Sequence, residues 1–127
     1  MGKKIPPPTE AELAILQALW KCGPSTVKEV QAELEEGTGY TTVLKQLQIM
    51  TGKGLVLRDE ANRAHIYKAS LAKEQTQQTL LGGVLDRVFL GSASDLVLRA
   101  LSSRRATPQE LKEIRALVDR LAKEGGK

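Results

Sequence analysis

Three interruptions limit what the first 54 residues can become: Cys22-Gly23-Pro24, Gly37-Thr38-Gly39 and Gly54. Inside a helix, glycine costs about 1 kcal/mol and proline about 3 kcal/mol relative to alanine, so helices end at these points. The stretches between them carry their own start signals. Thr9-Glu-Ala-Glu12 is a capping box ahead of a run containing Leu13, Leu16, Leu19 and Trp20. Thr26-x-x-Glu29 is a second, opening a helix with Val27, Val30 and Leu34 on one stripe and Glu29, Glu33, Glu35 and Glu36 toward water. Three short helices are predicted, the second and third joined as in a helix-turn-helix.

The third stretch, Tyr40 to Gly54, is unusual for a surface helix. Projected at about 100° per residue, Tyr40, Val43, Leu47 and Met50 share one face, with Leu44 at its edge. Thr41, Thr42, Lys45, Gln48 and Ile49 share the other, with Gln46 on its flank. Solvent-facing helices usually interleave Glu and Lys, whereas this face has Lys45 as its only charge before Lys53. Thr, Gln and Lys at successive turns suit hydrogen bonding to base edges in a major groove. An ordinary surface helix rich in Thr and Gln is the alternative. Ser25 and Thr26, at a helix start, could bind a phosphate through amides and hydroxyls, or serve only as caps.

After Gly54 the pattern turns β-prone. Leu55–Arg58 and Ala64–Lys68 read as two short strands around Asp59-Glu-Ala-Asn-Arg63, with Asn62 suited to a left-handed turn. Three helices followed by a hairpin make a winged helix-turn-helix with Asn62 and Arg63 at the wing tip. There Arg63 can meet a phosphate or enter a minor groove, or merely face water. Within 41–68, Lys45, Lys53, Arg58, Arg63 and Lys68 face only Asp59 and Glu60, a basic patch placed to meet phosphates.

From Leu71 the signal is all helix. Leu80, Leu81, Val84, Leu85, Val88 and Phe89 form a broad apolar stripe, interrupted by Gly82-Gly83 and ended by Gly91. Ser92-x-x-Asp95 caps a helix carrying Leu96, Val97, Leu98 and Leu101, and Thr107-Pro-Gln-Glu110 opens a last one carrying Leu111, Ile114, Leu117, Val118 and Leu121. Such wide stripes on so short a segment, with one aromatic residue, cannot be closed off within it, which points to a dimerisation module. The expected architecture is mainly α with a small β-hairpin. It comprises an arm over 1–8, a winged helix over 9–70 and a three-helix dimerisation domain over 71–127.

Composition narrows the function classes. One His and one Cys, in different elements, supply no nucleophile–base pair or metal cluster, and no Gly-rich phosphate loop is present. An enzyme is not expected, nor any cofactor. Cys22 at a helix end reads as a small packed hydrophobe, with an exposed redox thiol as the alternative, and His65 as a hairpin-surface or DNA-backbone residue. A single cysteine fits a reducing cytosol, and no apolar run nears the ~18–20 residues of a membrane span. A cytoplasmic protein is expected. The net charge of +4 permits an acidic partner.

With these pieces in order, the chain resembles the penicillinase-repressor (BlaI/MecI) family of bacterial transcriptional regulators. The resemblance rests on TEAELAILQALW (Thr9–Trp20), YTTVLKQL with KGLV (Tyr40–Val56), NRAHIYKA (Asn62–Ala69), LDRVFLGSASDLVLRAL (Leu85–Leu101) and TPQELKEIRALV (Thr107–Val118). It implies a homodimeric repressor on a palindromic operator of double-stranded DNA, with control of β-lactam antibiotic resistance or a related stress response. Release would follow proteolytic cutting triggered by a membrane-bound sensor metalloprotease. Base reading would fall on Thr42, Lys45 and Gln46, and phosphate contacts on Thr41, Lys53 and Arg63. Three positions depart from the family. Ile49 stands where the family usually has a basic or polar residue, and would touch thymine methyls or leave that contact missing. The cleavage point aligns with Arg99-Ala100, where the best-known members have Asn-Phe. The copper-responsive branch uses a C-terminal cysteine pair, and this chain has only Cys22. Two other readings stay open: a winged-helix adaptor that binds proteins, and a repressor released by a small ligand.

Overall fold

A computed structural model of the chain describes residues 5–61 and 63–125. Its elements run α1 (Glu10–Cys22), α2 (Val27–Glu33), α3 (Tyr40–Lys53), β1 (Val56–Asp59), β2 (Ile66–Ala69), α4 (Lys73–Arg87), α5 (Ala93–Ser103) and α6 (Pro108–Gly125). The fold is thus mainly helical with one antiparallel hairpin, as expected. It divides into two compact units between Gly82 and Gly83, inside α4 rather than after Ser70.

The capping boxes form as written. Thr9 accepts the Glu12 amide on Oγ1 while its own N–H donates to Glu12 Oε1, and Thr26 and Glu29 repeat the exchange on α2. Gly23 and Gly54 close α1 and α3 with φ of 80° and 85°, a region that side chains with a Cβ rarely enter. Between these stops, Ile15, Leu16 and Leu19 of α1, Val27 and Val30 of α2, and Val43, Leu47 and Met50 of α3 meet in one core. Leu55, Val56 and Tyr67 seal it from the hairpin side.

The hairpin starts later than its composition suggests. Val56 pairs with Ala69 and Asp59 with Ile66, so Leu55, Ala64 and His65 lie outside the ladder. Leu55 is drawn into the core, and its N–H bonds Met50 O. The other edge of β2 is also occupied: Ser25 and Tyr67 exchange both backbone hydrogen bonds, at 2.9 and 2.8 Å. This ties the start of α2 to the wing. Asn62 lies outside the described residues.

The second unit has a different character. None of the residues of α5 or α6 is buried. Val84, Val88, Leu98, Leu101, Leu111, Leu117 and Val118 are exposed, as is Leu81 at the end of the first unit, while Leu85, Phe89, Leu96 and Ile114 are half-covered. Helix α4 ends at Arg87, so Val88 and Phe89 lie in the closing turn and not on the helical stripe. There Phe89 N–H reaches back to Val84 O and Gly91 N–H to Leu85 O, with Leu90 at φ 51° and Gly91 at φ 84°. The two left-handed residues end the helix, as Gly91 suggested, but the unwinding begins before it.

Candidate nucleic-acid interface

Helix α3 presents its uncovered face much as the projection requires. Val43, Leu47 and Met50 turn inward, and Thr41, Thr42, Lys45, Gln48 and Ile49 are exposed. Gln46 is half-buried, lining a shallow apolar groove with Thr42 against Ala11, Ala14 and Leu34. Its start is electrostatically distinctive. Gly39 offers no side-chain cap, and α3 alone among the six helices has no acidic residue in its first turn. The positive end of its dipole is left for an outside anion.

Tyr40 departs from its inward assignment and is 46% exposed. It is the first helical residue, and burial on α3 begins only at Val43. With Thr26, Lys28, Leu44, Arg63, Ala64 and His65 it lines a depression of about 390 Å³ between α2, α3 and the wing. Lys28, Arg63 and His65 are its ionisable bases, and among the described residues no carboxylate lines it. Sequence reasoning missed Lys28 and Tyr40 as members of this basic hollow. The exposed Lys28 follows Val27 on the side of α2 away from the core, which was the available signal for it.

Three proposed phosphate contacts are committed elsewhere. Ser25 is buried, its hydroxyl donating to Gly23 O at 2.8 Å, so it braces the loop and offers nothing to a ligand. Thr26 Oγ1 is engaged in the α2 cap. Lys53 Nζ lies 2.7 Å from Glu12 Oε2, making an ion pair in which the carboxylate is almost fully enclosed. Burial pushes the Glu12 carboxyl up, but the Lys53 hydrogen bond, the Thr9 amide and the Lys53 charge together hold it below its usual range. Arg58 is likewise paired, with Glu60 at 2.6 Å. Lys45, Arg63 and Lys68 form no ion pair with the described residues and remain available to phosphates.

Arg99 and Ala100 sit within α5, exposed but helical. Cys22 is exposed, not packed. It is the last helical residue of α1 and lies past the end of the core. Among the described residues no three His, Cys, Asp or Glu side chains gather as a metal site, and no helix is long and apolar enough to cross a membrane.

Comparison with known proteins gives a family for the chain. A family model described as "Penicillinase repressor" matches residues 8–120. The penicillinase repressor of Bacillus licheniformis is 23% identical over 119 residues, which cover 92% of this chain and 93% of that protein. Among solved structures, the solution structure of the monomeric form of Bacillus licheniformis BlaI in complex with the blaP half-operator matches 57% of this chain and 92% of that one, at 25% identity and a TM-score of 0.48. The crystal structure of a probable transcriptional regulator from Pseudomonas aeruginosa matches 90% of this chain and 78% of that one, at 19% identity and a TM-score of 0.44.

Proposed function

The chain belongs to the penicillinase repressor family, and on that footing we propose that it is a cytoplasmic, homodimeric transcriptional repressor that binds a palindromic operator. The observation that carries the DNA-binding reading is the uncovered face of α3. Thr41, Thr42, Lys45 and Gln48 stand exposed beside a basic hollow that no carboxylate among the described residues lines. Lys45 suits guanine O6 and N7, Gln46 suits adenine N6 and N7, and Thr42 completes the reading stripe. Arg63 and Thr41, joined by Lys28 and Tyr40, would hold the flanking phosphates, and Asn62 keeps its proposed place at the wing. Phosphate contacts of this kind fix the register in which the bases are read.

The dimer reading rests on the uncovered leucines and valines of α4, α5 and α6. A second copy supplies the matching apolar face, and a two-fold pair sets two reading helices about one DNA turn, or a multiple of it, apart. Family membership supports, as part of this proposal, release through a membrane sensor metalloprotease and control of β-lactam resistance or a related stress response. Cutting between Arg99 and Ala100 would require α5 to unwind, because a helical peptide bond is closed to a protease cleft. The adaptor reading is disfavoured by Lys45 and Arg63, both basic and both exposed.

The test is fluorescence anisotropy with promoter DNA from upstream of the protein's own gene, across a salt series. Specific binding should exceed that to scrambled DNA by ~10³-fold or more. Log K should fall with log salt by about 0.9 per phosphate contacted. Lys45→Ala should lower operator affinity about 10- to 100-fold while leaving binding to scrambled DNA nearly unchanged. A Lys45→Ala protein with full operator preference would remove α3 as the reading element.

A further inference from the structure

We infer that Ile49 reads thymine in the operator through its C5 methyl group, so that the reading face combines polar donors with one apolar probe. This rests on the operator-binding reading above and adds a base identity to it. Ile49 is 41% exposed and is absent from both the core and the apolar side chains packed against it. Its inward neighbours Leu47 and Met50 are fully buried, and its outward neighbours Lys45 and Gln48 are exposed and polar. The fold therefore leaves about two-fifths of this residue uncovered on its own protomer and open to an outside partner.

Its place on α3 is that of a reader. At about 100° per residue, Ile49 stands within about 20° of Thr42 and about 40° of Lys45. It lies two turns beyond Thr42 and one beyond Lys45, roughly 10 and 6 Å along the axis. The major-groove edge of DNA offers one apolar group, the thymine methyl. A branched hydrocarbon set against it removes apolar surface from water on both partners. The same hydrocarbon set against the amino group of cytosine or adenine would strip that group of water and return no hydrogen bond. Discrimination against other bases at this step would thus come as much from what Ile49 cannot satisfy as from what it covers. A guanine met by Lys45 and a thymine met by Ile49 would lie one turn of α3 apart in each half-site.

The experiment replaces each operator thymine in turn by deoxyuridine, which removes the methyl and keeps the base pair, and measures affinity by anisotropy. For the unmodified protein, one position per half-site should lose about fourfold, the factor for a single buried methyl. Ile49→Ala and Ile49→Gln, at an exposed position where folding is not at stake, should bind the thymine and deoxyuridine versions of that site equally. An operator bound specifically by the unmodified protein but indifferent to every replacement overturns this assignment and leaves the repressor reading intact. So does an Ile49→Ala protein that keeps the full methyl sensitivity. An unmodified protein that does not prefer operator to scrambled DNA overturns both.

Discussion

Glu12 is the only buried carboxylate among the described residues, and its partner Lys53 lies 41 residues along the chain. The pair joins the first turn of α1 to the last turn of α3, so it bears on how firmly the reading helix is seated. Its pH dependence has a definite sign. The folded-state pKa is lowered from 4.5, so the contribution is full above that value and is lost as pH falls through the folded value. Thermal melts of Glu12→Gln should lie below those of the parent near neutrality, and the gap should close on acidification below 4.5. A gap that stays constant to pH 3 would mean that the ionised carboxylate is not what stabilises. None of this was legible in the sequence. Helical projection places Lys53 on the reading stripe because it knows only angles, and it cannot know that Glu12 arrives there from another helix. The same blindness hid the burial of Ser25 and the exposure of Tyr40 and Cys22, which depend on where neighbouring elements stop. Thr42, Lys45 and Ile49 were legible because their exposure follows directly from the inward set Val43, Leu47 and Met50.

Element boundaries were legible wherever a side chain or a glycine enforces them. The Thr9, Thr26, Ser92 and Thr107 hydroxyls all receive the amide three residues on, as their spacing required. Gly54 ends α3 in the left-handed region, and a Cβ built there would meet only Ile5 at 3.6 Å, an ordinary contact. Gly54→Ala should therefore cost about 1–2 kcal/mol from backbone strain alone, without a steric clash. Urea denaturation would detect this as a lower midpoint at unchanged slope. A neutral substitution would show that the chain after α3 adjusts freely, contrary to the fixed entry of Leu55 into the core. Boundaries set by tertiary pairing were less legible. The start of β2 at Ile66 depends on its register against β1 and on Tyr67 meeting Ser25, and the end of α4 at Arg87 depends on a turn whose first left-handed residue is a leucine.

At the scale of the whole molecule, the first unit closes on its own core, whereas the second leaves its leucines and valines uncovered. The need for a second copy was legible in the width of the apolar stripes, but the near absence of interior in that unit is visible only once its helices are in place. Leu117→Asp, which puts a charge among these side chains, should yield monomers in sedimentation velocity and lower operator affinity sharply. A variant that remains dimeric would place the interface elsewhere.

A unit without an interior cannot report its stability independently of how many copies surround it. Below the dissociation constant of the proposed pair, the population able to grip both half-sites grows with the square of the protomer concentration. Halving the protomer concentration would then cut the concentration of operator-competent dimer about fourfold by the same mass-action relation. A fall in protomer concentration, by degradation or by dilution as the cell grows, would thereby become a steeper fall in operator-competent dimer without any change in the reading helix itself.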